Sequence, residues 1–142
     1  MLSAIADTGP LVALLDRGER HHGWVASCIG ELQAPLLVCE PVLMEAMHLL
    51  ARLPVAQDRL FGLLENGALS IAFHLDEHVS ELRRLHRKYR DRPMSLADAC
   101  VVRMAELFEG HVVLTLDSDF SVYRKHGRTP LTVLHPTRGS NR

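Results

Sequence analysis

The sequence predicts an α/β fold in which helices cover both faces of a mostly parallel sheet of four to five strands. Short apolar runs of strand length alternate along the chain with longer segments whose apolar residues recur at helical spacing. Prolines and glycines separate these segments. The 142 residues, 47% of them hydrophobic, suffice for one ordinary core. We therefore expect a single domain over residues 1–142.

The first half of the chain supplies three of the strands and four of the helices. The strand candidates are Ser3–Ala6, Leu36–Val38 and Leu69–Phe73. Helical spacing begins at Pro10, continues over Trp24–Leu32, returns over Pro41–Leu50 and recurs from Pro54 to Leu64. Proline suits the first helical position, and Pro35 is expected to end the second helix. The fourth helix is expected to close at Asn66-Gly67.

The second half continues the alternation. Two longer helices are predicted over Val79–Tyr89 and Ser95–Phe108, the second of them ended by Gly110. The clearest strand candidate is His111–Leu116, a short helix follows it at Asp117–Phe120, and a last strand is predicted at Leu131–Leu134. In parallel sheets of this kind, ligands bind beyond the carboxyl ends of the strands, so the chemistry is expected at that edge.

Composition excludes several classes of protein. With 16 basic and 17 acidic residues, the chain is neither a strongly basic nucleic-acid coat nor an acidic disordered tail. No apolar window is long enough to span a membrane. Asp7 and Asp16 interrupt the apolar start, which indicates no signal peptide. Cys28, Cys39 and Cys100 are far apart and form no CxxC pair, so we expect a cytoplasmic protein without a disulfide framework.

Four carboxylates come from separated segments and are expected to meet at one edge of the sheet. Asp7 and Asp117 each follow a strand, whereas Glu45 and Asp98 lie among apolar residues inside helices. Two such charges 4 Å apart would repel by roughly 4 kcal/mol, and a divalent cation would compensate them. Oxygen-only ligands select Mg²⁺ or Mn²⁺ rather than zinc. The alternative for Glu45 is pairing with an arginine of another element.

The other three positions also have purely structural alternatives. Asp7 is placed to cap the helix that follows it. Ser95 and Asp98 fit a capping box, in which Asp98 serves a backbone amide. Asp117 and Asp119 are residue types typical of turns. Each alternative is strong for its own residue, but the joint placement of four acids favours a shared site.

The segments around these acids resemble a known family. In order and spacing they are similar to the four acidic motifs of PIN domains, and the resemblance covers nearly the whole chain. The length resembles the VapC-like toxins of bacterial type II toxin–antitoxin systems. The segments are Ala6–Leu15, Pro41–Ala46, Ser95–Ala99 and Leu114–Phe120.

The resemblance implies a three-layer α/β/α fold and a Mg²⁺- or Mn²⁺-dependent ribonuclease. Its acidic cluster would consist of Asp7, Glu45, Asp98 and Asp117. Asp7 and Asp98 would bind the metal directly, whereas Glu45 would orient water or hold a second metal. Asp117 is preferred as the fourth acid because it lies at the strand end. The metal would activate water to leave a 5′-phosphate and a 3′-hydroxyl.

Supporting residues and partners follow from the same resemblance. The hydroxyls of Thr8 and Thr115 would support the cluster, Ser95 precedes its third acid, and Asp119 is the alternative fourth acid. The family also implies a homodimer and a small cognate antitoxin whose C-terminal segment occupies the nuclease groove.

A run of basic residues precedes the third acidic motif, and its members are Arg83, Arg84, Arg87, Lys88, Arg90 and Arg92. One interpretation is an RNA-backbone track, because arginine suits bidentate phosphate contacts. The alternative is a solvated helix face with acidic partners.

Two other functions compete with the nuclease. A PIN-like module that binds RNA or a partner without cutting would use the same fold. A receiver-like phosphoacceptor domain also gathers acids around Mg²⁺, but it would want an acidic pair after the first strand, where Ala6 precedes Asp7.

Overall fold

The computed structural model describes residues 1–136, so the end of the predicted domain at 137–142 lies outside the described residues. Over the described range the chain forms seven strands, five of which make one parallel sheet and two an antiparallel hairpin. The strands are β1 (Leu2–Ala6), β2 (Leu32–Val38), β3 (Leu69–Ile71), β4 (Val112–Leu114), β5 (Arg124–Lys125), β6 (Thr129–Pro130) and β7 (Val133–Leu134). The hairpin consists of β5 and β6.

The sheet order is β3-β2-β1-β4-β7, which puts β1 at the centre. The chain moves outward from β1 to β3 and then returns to the other side of β1 as β4, with Ala6 paired to Leu114. The strand order therefore reverses between β1 and β4. In open parallel sheets the crevice beyond such a reversal is where ligands bind.

The helices are α1 (Thr8–Leu15), α2 (His22–Glu31), α3 (Glu40–Leu49), α4 (Pro54–Glu65), α5 (Val79–Lys88) and α6 (Leu96–Leu107). Short 3₁₀ turns lie at Leu75–His78 and Ser118–Ser121. Helix α1 contacts α2, α3 and α4, whereas α5 packs on α6, which lies against β1 and β4. Prolines open α3 and α4, where a missing N–H costs nothing. The predicted three-layer α/β/α architecture is confirmed.

No helix within residues 1–136 has the length and apolar character needed to cross a membrane.

Several predicted boundaries were wrong. Leu32 opens β2 instead of ending a helix, because it pairs with Leu2 of β1. Pro35 lies inside β2, where the pairing with β1 is irregular and a ladder hydrogen bond is not required. The predicted strands His111–Leu116 and Leu69–Phe73 are each reduced to three residues.

The hairpin of β5 and β6 was not predicted. Each of its strands has two residues, so there is no alternation of apolar and polar residues to recognise. Its turn contains His126 and Gly127, both with positive φ angles. Gly127 adopts this conformation without steric cost.

Candidate active site

An open cavity of about 460 Å³ lies at the carboxyl ends of β1 and β4. We call it the acidic cavity, because all four of the predicted acids line it. Its lining residues are Asp7, Thr8, Gly9, Glu45, Leu49, Asp98, Leu116, Asp117 and Ser118.

Asp7 is the most buried of the four acids, with 6% of its surface exposed. It occupies the position before α1, but its side chain makes no capping hydrogen bond to that helix. The hydroxyl of Thr115 instead donates a 2.7 Å hydrogen bond to Oδ2 of Asp7. Burial raises the pKa of Asp7 from 3.8 to about 6, opposed by this hydrogen bond and reinforced by the charges of Asp98 and Asp117.

Thr115 connects two of the acids. It is fully buried, and its Oγ1 also accepts a 2.9 Å hydrogen bond from the backbone N–H of Asp117. Asp117 in turn accepts a 2.9 Å bond from the N–H of Asp119, as a turn residue does. The turn after β4 is therefore held against the end of β1 by one hydroxyl.

Asp98 closes the capping box of α6 and also lines the acidic cavity. Its N–H donates to Oγ of Ser95, and its Oδ2 accepts from the Ser95 N–H at 3.2 Å and from the Tyr123 hydroxyl at 3.4 Å. Within residues 1–136, these contacts leave Oδ1 without a hydrogen-bond partner. Burial and then the charge of Asp117 raise the pKa of Asp98, against its hydrogen bonds.

Glu45 lies on α3 at the open side of the acidic cavity. Partial burial raises its pKa, and the charge of Asp98 raises it further. The carboxylate on α3 is therefore close enough to the one on α6 for their charges to repel. Among the described residues Glu45 forms no salt bridge, so the expected alternative partner, an arginine, is not found there.

Two residues of the first acidic motif shape the wall beside Asp7. The hydroxyl of Thr8 is buried and has no hydrogen-bond partner within the described part of the chain. Gly9 lies so close to Leu116 that an added Cβ would approach its side chain at 3.2 Å. Glycine thereby allows the start of α1 to approach the end of β4 closely.

Asp119 lies beside the acidic cavity but does not line it. Its Oδ1 forms a 3.1 Å salt bridge with Arg92, and both side chains are partly exposed. Of the two alternatives for the fourth acid, Asp117 is therefore the one in the cavity wall.

The four acids share one cavity without surrounding a single point. Across residues 1–136, no three His, Cys, Asp or Glu side chains are arranged to hold one metal ion together. Burial is the main cause of the raised pKa values of Asp7, Glu45 and Asp98, and the repulsion among the acids raises them further.

The basic run on and after α5 is partly engaged in internal contacts. Lys88 donates a 2.8 Å hydrogen bond to the carbonyl of Gly127, and Arg84 lies 3.7 Å from the carboxylate of Glu106. Arg92 is bound to Asp119, as described above. Of the remaining members, Arg83 borders an apolar cavity between α5 and α6, whereas Arg87 and Arg90 are exposed and unpaired in the described range.

Glu106 was not recognised from the sequence. Its side chain is fully buried and accepts a 3.0 Å hydrogen bond from Arg103 and a 2.6 Å bond from the N–H of His126. The buried carboxylate therefore ties α6 to the turn of the hairpin. A single Glu near a helix end carries no sequence signal for such a role.

Tyr123 was also missed. It is fully buried, its hydroxyl reaches Asp98, and its ring packs edge-on against Tyr89 and Phe120. Its position three residues after Phe120 was the available signal, since both aromatic rings are buried at the end of the last acidic motif.

Comparisons with known proteins agree with this geometry. A family model described as PIN domain matches residues 4–126. The chain is 31% identical over 134 residues to Ribonuclease VapC26 of Mycobacterium tuberculosis (strain ATCC 25618 / H37Rv), an alignment covering 92% of this chain and 98% of that protein. The family match includes all four acids of the cavity. This chain belongs to the PIN domain family.

Proposed function

We propose that this protein is a metal-dependent endoribonuclease of the VapC-like toxin kind. The observation that carries the proposal is the acidic cavity, in which Asp7, Glu45, Asp98 and Asp117 come together from four separate segments at the reversal of strand order. The similarity to a protein named as a ribonuclease supports RNA as the substrate.

The donor set supports Mg²⁺ or Mn²⁺ as the cofactor. All four acids offer oxygen, which hard divalent cations prefer. Oδ1 of Asp98 and the buried hydroxyl of Thr8 have no hydrogen-bond partner within residues 1–136, so both oxygen atoms are available as ligands at the cavity wall. Asp7 and Asp98 would hold the ion, with Glu45 and Asp117 beside them. A bound divalent cation supplies charge neutralisation for a phosphoryl oxygen and acidifies water.

The chain's own residues would orient the reaction. The Thr115 hydrogen bond fixes the Asp7 carboxylate, and the capping box fixes Asp98. Glu45 is the most accessible of the acids and has a raised pKa, which suits a group that orients water and accepts its proton. Water would attack in line with the P–O3′ bond, leaving a 5′-phosphate and a 3′-hydroxyl, without the 2′-hydroxyl as nucleophile.

A homodimer and a small cognate antitoxin are proposed as partners on the family resemblance alone. Size-exclusion chromatography with light scattering tests the dimer. Mass spectrometry of the purified protein tests for a bound antitoxin, which would also mask cleavage.

The decisive experiment compares cleavage of a mixed RNA pool by the wild type, Asp7→Asn and Asp119→Asn, each with Mg²⁺, Mn²⁺ or EDTA. Asparagine retains an oxygen that accepts the Thr115 hydrogen bond, so Asp7→Asn removes charge with little change of shape. We expect cutting that needs metal and Asp7 but persists in Asp119→Asn, whose acid lies outside the cavity lining.

Other outcomes argue against the proposal. Equal cutting by all three proteins would mean a contaminant or another site. No cutting by antitoxin-free wild type would favour the non-catalytic PIN-like binding module. A 2′,3′-cyclic phosphate on the products would exclude attack by water.

A further inference from the structure

A second cavity, distinct from the acidic one, concentrates positive charge on the α1 side of the fold. It has a volume of about 570 Å³, and we call it the arginine cavity. Its lining residues are Leu15, Asp16, Arg17, Arg52, Leu53, Pro54, Val55, Ala56 and Arg59.

The arginines of this cavity are selectively placed. Residues 1–70 contain four arginines and no lysine, and three of these four line this one cavity. All three are exposed, and none of them forms a salt bridge within residues 1–136. By contrast, Arg84 and Arg92 of the basic run have acidic partners. Three unpaired guanidinium groups around one concavity repel one another and favour an anionic ligand.

The local negative charge does not cancel this excess. Asp16 is the one acid in the lining, and its Oδ1 already accepts a 2.9 Å hydrogen bond from the N–H of Gly18. The negative end of α1 and the positive end of α4 both border the cavity and roughly offset each other. The cavity therefore carries a net charge of about +2 from its side chains.

The arginine cavity and the acidic cavity lie at opposite ends of α1, and both are near the end of α3. Thr8 and Gly9 at the start of α1 line the acidic cavity, and Leu15 at the end of α1 lines the arginine cavity. Leu49, the last residue of α3, lines the acidic cavity, and Arg52 follows in the turn after this helix. The eight residues of α1 rise about 12 Å. A nucleic-acid strand with a rise of about 3.4 Å per nucleotide covers that length in about three or four nucleotides.

We propose that the arginine cavity binds phosphates of the same RNA strand that the acidic cavity cuts, about three or four nucleotides from the scissile bond. This inference rests on the proposed ribonuclease function and adds a binding site to it. Arginine binds phosphate with two parallel hydrogen bonds. The apolar remainder of the wall suits ribose and base faces, since single-strand sites combine positive grooves with surfaces for stacking. Phosphate contact of this kind fixes the position of a strand and does not read its sequence.

The test replaces the three arginines by glutamine, singly and together, with Arg20→Gln as the matched control. Arg20 is an exposed arginine of the neighbouring loop that does not line the cavity. Binding of a fluorescent random-sequence single-stranded RNA of about twelve nucleotides is measured by anisotropy in EDTA, so that cleavage does not interfere. We expect each substitution of a lining arginine to weaken binding about ten-fold. Each lost contact should reduce the slope of log K against log salt by about 0.7.

Cleavage supplies an independent measurement. The arginine variants should lose kcat/KM on the long strand but not on a dinucleotide, whose single phosphodiester occupies the acidic cavity and leaves no phosphate to reach the arginines. Thermal unfolding checks that the variants fold, as expected for exposed and unpaired side chains.

The outcomes separate the two proposals. Wild-type cleavage with arginine variants that behave like Arg20→Gln overturns the arginine cavity alone and points to an acidic protein segment as its ligand. Absence of cleavage by the wild type overturns the proposed nuclease function. The anisotropy measurement then tests RNA binding at the arginine cavity by itself. Loss of RNA binding in the arginine variants would support binding at this cavity. Equal binding by all the proteins, or no binding by the wild type, would overturn it.

Discussion

The hydroxyl of Thr115 is 2.7 Å from Oδ2 of Asp7, although the two residues are 108 positions apart in the chain. This bond joins the end of β1 to the end of β4 and holds Asp7, which lines the acidic cavity. The same oxygen accepts the N–H of Asp117, so one buried hydroxyl positions two of the four acids.

Thr115→Val should raise the pKa of Asp7 further, because the hydrogen bond that favours the charged carboxylate is lost. It should also destabilise the protein by about 1–3 kcal/mol, because the Asp117 N–H loses its acceptor. Thr115→Ser keeps the hydroxyl and should keep the pKa of Asp7 near that of the wild type. An NMR titration of the Asp7 carboxyl carbon compares the three proteins. The same pKa in the valine and serine variants would contradict the role of the hydroxyl.

Asp7→Asn should stabilise the metal-free protein at neutral pH. The folded-state pKa of Asp7 is about 6 and lies above the ordinary value of 3.8, so between these two pH values the native state holds a proton that the unfolded chain has released. Stability from this group is therefore lost as pH rises from about 4 to 6, by about 3 kcal/mol in total.

Urea unfolding in EDTA at pH 4 and pH 7 measures this difference between wild type and Asp7→Asn. The advantage of the variant should be small at pH 4 and should grow toward pH 7. An advantage that does not change with pH would show that Asp7 titrates normally.

Mg²⁺ should raise the melting temperature of the wild type, because an ion that binds only the native state stabilises it by about 2.7 kcal/mol at a hundred times its Kd. Asp98→Asn should abolish the response, and its amide oxygen still caps α6. Asp119→Asn should retain the response, because Asp119 pairs with Arg92 outside the cavity lining. A wild type indifferent to Mg²⁺ and Mn²⁺ would count against the metal.

Glu106→Gln should destabilise the fold by about 3 kcal/mol, because it leaves the largely buried guanidinium of Arg103 without its countercharge. Glu109→Gln is the matched control, since Glu109 is 72% exposed and its contacts with Lys125 and His126 lie at the surface. That change should cost less than about 1 kcal/mol. Chemical denaturation of both variants measures the two costs, and equal losses would refute the buried network.

The fold was largely predictable because its strands and helices differ in length and spacing. Five apolar runs correspond to the five strands of the sheet, and prolines open α3 and α4 where they were expected. Leu32 was misassigned because it continues the helical spacing of α2, and only its pairing with Leu2 reveals a strand. Such pairing depends on tertiary contacts and leaves no local signal.

The acids of the candidate site were predictable because each stands where an apolar or turn residue would suffice. The contacts that hold these elements together were not predictable. The hydrogen bond from Tyr123 to Asp98 and the one from the His126 N–H to Glu106 join residues 25 and 20 positions apart, and neither leaves a local pattern in the sequence. For the basic run, the sequence revealed the charge but not the contacts. Its charge was evident from the sequence, but the engagement of Arg84, Lys88 and Arg92 depends on partners that only the fold brings near.

The central place of β1 sets when the acidic cavity can form during synthesis. β1 emerges from the ribosome well before its neighbour β4, which begins only at Val112, so one side of β1 stays open while the residues between the two strands are made. Contacts of such large sequence separation form late, since the intervening chain must close before they contribute. A nascent chain therefore carries Asp7 before Thr115 and Asp117 have been made, and the proposed nuclease would lack its complete acidic cavity until β4 and the turn after it have joined the sheet.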